Sequence, residues 1–130
     1  MKHVTRILAL LLVVTTLCVM LVACGAKPEA DPTQAKGILE KNGYEVELTD
    51  DPSMLLTSSF YYGGQLTAML SASKDTDYVK IFWFEEKEDA EEYYDFISDQ
   101  MSSLQYAFGV EENMIWYGTK DGVKAASDQK

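Results

Sequence analysis

Ser71 and Lys74 stand at the spacing by which a lysine activates a serine nucleophile in Ser-x-x-Lys enzymes. That chemistry needs the serine at the start of a helix and a Lys-Thr-Gly elsewhere. Here the pair closes an alternating, strand-like stretch and the chain has no Lys-Thr-Gly, so the match reads as coincidence. Paired carboxylates could supply the acid and base of glycoside hydrolysis. Glu86, Glu88, Asp89, Glu91 and Glu92, however, crowd the first turns of an amphipathic helix, where solvation and the helix dipole account for them. Asp50-Asp51 and Asp75-Thr76-Asp77 lack the glycine and distal glutamate of a calcium loop. Gly63-Gly64 is a turn signal, not a phosphate loop. Beyond Cys24 the chain has no His, no Arg and no further Cys. Zinc ligation and a near-neutral proton shuttle lose their usual residues, as does bidentate recognition of phosphate. The expectation is a protein with no catalytic residues, no metal and no cofactor. An envelope hydrolase using carboxylates is the least favoured alternative.

Aromatic rings are the remaining chemical resource. Tyr61, Tyr62, Tyr78, Trp83, Tyr93, Tyr94, Tyr106, Trp116 and Tyr117 make a dense set for a short chain. Tyr and Trp offer contact area at low entropic cost, with one polar tip each. Where two rings are adjacent in sequence, a regular element usually buries one of them. The expectation is therefore an aromatic binding patch drawn from Tyr61, Tyr62, Tyr93, Trp116 and Tyr117. The simpler reading is that these rings fill the core and its edge.

The chain opens with Lys2 and Arg6 and continues through an uncharged run, Ile7 to Ala23, rich in Leu and Val. A short positive region before an apolar run reads as a secretory signal. The run ends at Leu21-Val22-Ala23-Cys24-Gly25, which resembles the lipobox of bacterial lipoproteins. That resemblance implies recognition of Leu21, Val22, Ala23 and Cys24 by the signal peptidase, cleavage before Cys24, and acyl chains such as palmitate carried through its thiol. Cys18 follows Leu17, which is too large for the same motif. The other readings are a retained spanning helix, for which about 20 apolar residues suffice, and an ordinary cleaved signal with the cut at Ala23 or Ala26. Gly25 does not resemble the Asp that marks inner-membrane retention in Gram-negative lipoproteins, so the outer face of the cell membrane and the outer membrane both stand.

On this reading residues 1–23 are the signal, 24–30 a lipidated and disordered tether, 31–126 one domain and 127–130 a fraying tail. Nine lysines against 21 acidic residues leave the chain beyond the signal with a net charge of −12. Such a surface repels nucleic acid and anionic headgroups. The expected partners are the membrane, through lipid on Cys24, and an envelope protein, with no nucleic acid. The expected role is a binding or interaction module. A lipoprotein binding a small ligand, glycan or peptide, is the alternative.

These residues need a scaffold, and its elements can be read along the chain. Asp31-Pro32 is an N-cap followed by a proline at the first helical position, with Ala35, Ile38 and Leu39 on one face and Gly43 as the stop. Tyr44 to Leu48 alternates as a half-buried strand, and Met54 to Tyr62 reads as an irregular segment with a short helix. Gln65 to Ala72, with Leu66, Ala68, Leu70 and Ala72 on one face, forms a hairpin with the central strand Tyr78 to Phe84. The long helix Glu86 to Leu104 carries Ala90, Tyr94, Ile97, Met101 and Leu104 at helical spacing. Tyr106 to Val110 and Asn113 to Tyr117 form a second strand pair, and Thr119 caps a last helix bearing Val123 and Ala126. The fold class is α+β: a small two-layer domain, mostly antiparallel, with one long helix across the sheet and short helices at the ends. The passage from Phe84 through Ala90 to Tyr93-Tyr94 resembles the strand-to-helix passage of ferredoxin-like two-layer domains.

Overall fold

A computed structural model describes residues 26–127. The leader and the Leu21-Val22-Ala23-Cys24 motif lie outside the described residues, as do residues 128–130. The chain runs α1 (Pro32–Lys41), β1 (Glu45–Thr49), α2 (Pro52–Tyr62), β2 (Leu66–Lys74), β3 (Asp77–Phe84), α3 (Lys87–Ser103), β4 (Ala107–Glu111), β5 (Met114–Gly118) and α4 (Lys120–Ala125). The caps follow from local chemistry. Asp31 accepts from the Gln34 N–H at 3.0 Å, Asp51 from the Ser53 N–H at 2.9 Å, and Thr119 Oγ1 from the Gly122 N–H at 3.1 Å. Each satisfies a donor that has no partner within its helix. Met54 to Tyr62 is regular helix, not the irregular segment expected, because Asp51-Pro52 starts it as Asp31-Pro32 starts α1.

One five-stranded antiparallel sheet, in the order β1-β2-β3-β5-β4, forms the middle of the molecule. Successive residues of a strand point to opposite faces, and β3 is apolar on both. Val79, Ile81 and Trp83 join Leu70, Trp116, Ala35, Leu39 and Val123 on the face covered by α1 and α4. Phe82 and Phe84 join Leu55, Ala90, Ile97 and Ile115 on the face covered by α2 and α3. The α+β class, the antiparallel sheet and the long helix are as the sequence predicts. The terminal helices occupy the face opposite α3 and so add a third layer, unlike the ferredoxin-like passage the sequence resembles. Leu66 also leaves its expected companions. Leu66 pairs with Phe84 and Ala68 with Trp83, so two residues of β2 span one step of β3. This bulge turns Leu66 to the α2–α3 face while Ala68, Leu70 and Ala72 stay on the other. Leu104 ends α3 as its exposed C-cap and is not part of the buried stripe.

The segment expected as a disordered tether is tied to the domain from Lys27 onward. Pro28 is fully buried and forms an antiparallel bridge with Ser127. The Glu29 N–H donates to the Ala126 carbonyl at 2.9 Å, Trp83 Nε1–H donates to the Ala30 carbonyl at 2.8 Å, and Lys27 pairs with Glu111. Ser127, expected to fray, is buried beneath this strap. Among the described residues no helix is long and apolar enough to cross a membrane.

Candidate functional site

Helix α2 contains no charged residue: Pro-Ser-Met-Leu-Leu-Thr-Ser-Ser-Phe-Tyr-Tyr. Leu55, Ser59 and Tyr62 fall on one side, at helical spacing, and turn toward the sheet. Ser59 fixes the exit of the helix. Its Oγ accepts the Leu66 N–H at 2.9 Å and its carbonyl accepts the Gly64 N–H at 3.1 Å. Gly63 supplies the left-handed turn between them (φ 79°). The rest of α2 faces solvent, and beside Ser53 and Thr57 it exposes Met54, Leu56, Phe60 at 92% exposure and Tyr61 at 80%.

Helix α3 lies beside it and presents Asp89, Glu92, Tyr93 and Phe96, a stripe generated by three- and four-residue spacing. The rings of the two helices meet. Tyr61 stands edge-on to Tyr62 with centroids 4.9 Å apart, Tyr62 edge-on to Tyr93 at 5.3 Å, and Tyr93 stacks on Phe96 at 6.2 Å. Beneath them Phe82 of β3 touches Tyr62 at 4.8 Å and Tyr93 at 6.1 Å. These offset and edge contacts are the geometries that aromatic quadrupoles favour. The row is therefore seated on the core at Phe82 and open to solvent at Tyr61 and Phe96. Between the helices lies a recess of about 210 Å³ bounded by Tyr61, Tyr62, Gly63, Asp89, Glu92, Tyr93 and Phe96. A second recess of similar size adjoins it across Tyr62 and is bounded by Glu47, Ser71, Lys80 and Phe82.

Of the five rings predicted for the patch, the structure brings Tyr61, Tyr62 and Tyr93 together. Tyr117 stands behind them, half-buried, its ring 6.0 Å from that of Phe82. Trp116 does not belong: it is 7% exposed in the core under α1 and α4, on the opposite face of the sheet from Tyr117, as neighbours in a strand must be. Phe96 stacks in the row and Phe60 stands exposed on α2, and neither is among the five predicted rings, which are Tyr and Trp alone. The signal was the three-residue step from Tyr93 to Phe96 and the run Phe60-Tyr61-Tyr62. Burial holds the phenols of Tyr62, Tyr93 and Tyr117 above their ordinary range, with neighbouring tyrosines adding to each shift.

The other candidates are dispersed. Ser71 and Lys74 point to opposite faces of β2, and Lys74 Nζ donates to the Asn42 carbonyl at 3.0 Å, above the ring of Tyr44. Asp51 is occupied as a helix cap, and the two bonds from Ser53 hold its carboxyl below the usual range. Asp75 takes the left-handed turn position of the β2–β3 hairpin. Among the described residues no three acidic, His or Cys side chains converge as metal ligands would. Compared with known proteins, the chain matches no family model, no curated protein and no solved structure.

Proposed function

We propose that this chain is a lipid-anchored protein of the bacterial cell envelope whose domain works by binding a protein partner through α2 and the aromatic groove that α2 forms with α3. On this reading it is a docking module, not an enzyme. The observation that carries it is α2 itself. A helix with no charge and six large apolar residues in eleven has the composition of an interior one, yet α2 sits on the outside with Phe60 at 92% exposure in a chain of which a quarter is charged. Large apolar side chains exposed together on one short helix support an interaction site.

The anchor rests on the lipobox resemblance at Leu21-Val22-Ala23-Cys24. Because the strap is held from Lys27, only Gly25 and Ala26 separate it from a lipid on Cys24. Four residues of extended chain span about 14 Å at most, so the anchor would keep Pro28 close to the bilayer. Fractionation of cells carrying Cys24→Ala tests the anchor: the expected result is an unprocessed, heavier protein without lipid, and a variant unchanged in size and acylation refutes it. Docking is tested with a photo-crosslinking residue placed at Phe60 and, as a control, at exposed Thr76 in the β2–β3 turn. A discrete adduct from position 60 alone is expected in intact cells. No adduct, or the same adducts from both positions, refutes the assignment.

A further inference from the structure

We propose that the recess between α2 and α3 takes a lysine or arginine side chain of the docked partner, so that the partner segment combines one cation with flanking apolar residues. The inference rests on the docking assignment above and adds the chemistry of the occupant. Tyr61, Tyr62, Tyr93 and Phe96 wall the recess with aromatic rings, and Asp89 and Glu92 place two carboxylates at its rim. Aromatic faces attract ammonium and guanidinium groups, more strongly when the site is partly dry, and charge-assisted hydrogen bonds to carboxylates act in the same direction. Among the described residues no lysine lines the recess, and the ion pair found among them joins Lys27 to Glu111, elsewhere on the surface. Asp89 is also packed against the turn between α2 and β2. A Cβ on Gly64 would stand 2.7 Å from the Asp89 Cβ and Cγ and 2.8 Å from its Oδ2, so the carboxylate is packed against bare backbone that only glycine provides.

The occupant is a polypeptide and not a free amine, because exposed Met54 stands two turns from Tyr61 on the same side of α2, where an apolar residue flanking the cation would meet it. An anionic bilayer is disfavoured as the covering surface, since Asp89 and Glu92 would face it.

The test uses the lipidated protein in neutral detergent, with 13C-labelled Tyr and Phe rings observed by NMR. Three blocked peptides serve as probes, Leu-Lys-Leu and its counterparts with norleucine or glutamate at the centre. The lysine peptide is expected to shift Tyr61, Tyr62, Tyr93 and Phe96 and to bind about tenfold tighter than the norleucine peptide, with the glutamate peptide weakest. Asp89→Asn with Glu92→Gln should bring the lysine peptide down to the norleucine level. Asp75→Asn with Asp121→Asn, of equal charge change outside the recess, should alter it less than twofold. Equal binding of the lysine and norleucine peptides, or equal loss from both variant pairs, overturns the cation assignment while ring shifts at Phe60 and Tyr61 leave the docking surface standing. No ring shift with any peptide removes both. Shifts produced by anionic vesicles, and unchanged in the Asp89 and Glu92 variant, would replace the peptide with a membrane.

Discussion

Replacing Gly64 by Ala tests the packing that sets the shape of the recess. The added methyl would lie 2.7 Å from the Asp89 Cβ. Ordinary contact begins near 3.4 Å, so the α2–β2 turn and the first turn of α3 must part by about 0.7 Å. Rotation of Asp89 cannot relieve this, because a Cβ is fixed by its own backbone. Overpacking of this kind costs about 1–3 kcal/mol. The loss of glycine's freedom in the unfolded chain returns about 0.4–1 kcal/mol, since Gly64 does not adopt a positive φ. A net destabilisation of about 0.5–2 kcal/mol is expected. For a domain of this size it lowers Tm by roughly 2–15 °C. The assay is thermal unfolding followed by circular dichroism, within a cycle that includes Asp89→Gly and the double variant. Removing the Asp89 Cβ abolishes the clash, so the double variant should be more stable than the sum of the single losses by at least about 0.5 kcal/mol. Additive losses would mean that Gly64 and Asp89 do not touch, and the packed carboxylate would go with them.

Gly37 provides the contrast. It lies in α1 with nothing within 4 Å of where a Cβ would stand, so Gly37→Ala should stabilise the domain by about 0.5–1 kcal/mol through helix propensity alone, read as a rise in Tm. Thr119→Ala removes the oxygen that accepts both the Gly122 N–H and the Tyr78 N–H, each at 3.1 Å, and should cost roughly 1–2 kcal/mol in denaturant unfolding. Alkali should unfold the protein through its buried phenols. Tyr62, Tyr93 and Tyr117 have folded pKa values above the ordinary 10.0, whereas the unfolded chain releases these protons near that value. Their contribution is thus complete below about pH 10 and is lost as the pH climbs from there through the raised values. Phenolate absorbance rising together with loss of circular dichroism is the expected result; early, independent ionisation of all the tyrosines would contradict the burial.

The sequence made legible those features that local chemistry decides. Asp31 and Thr119 act as caps, β3 is apolar on both faces because it is central, and the two strand pairs close where their polar turns stand. What it concealed depended on partners distant in sequence. Periodicity tells that a helix buries one face, not which side of a sheet receives it, so the third layer was hidden. The bulge at Thr67 was equally hidden, because Leu66 keeps the alternation that the backbone breaks. Trp116 and Tyr117 are adjacent aromatic residues, but strand alternation puts them on opposite faces of the sheet. Composition does not show the strap: Pro28 bridges Ser127, and the carbonyl of Ala30 answers the indole N–H of Trp83, a donor 53 residues away.

Helix α2 was obscure for a different reason. Its residues obey no clean 3.6-residue period, because apolar side chains occupy positions that packing against the sheet leaves open. On the proposed reading, that failure of pattern is where docking, a demand other than folding, shows in the sequence. The demand has a definite size. Fully covering Met54, Leu56, Phe60 and Tyr61, which are 65–92% exposed, would gain roughly 4.5–9 kcal/mol, at about 1.5–3 kcal/mol for a side chain buried from full exposure. Lost translation and rotation alone take about 4–15 kcal/mol on association. An apolar grip of that size gives weak, exchangeable binding by itself. A charge in the recess would then decide which partner is held more than how tightly, and confinement of both partners to one membrane would supply the effective concentration that the contact lacks. On the proposed reading, the limited apolar surface, the two carboxylates and the short anchor are thus consistent with one another: a docking face of this strength would hold its partner best when the chain is tethered.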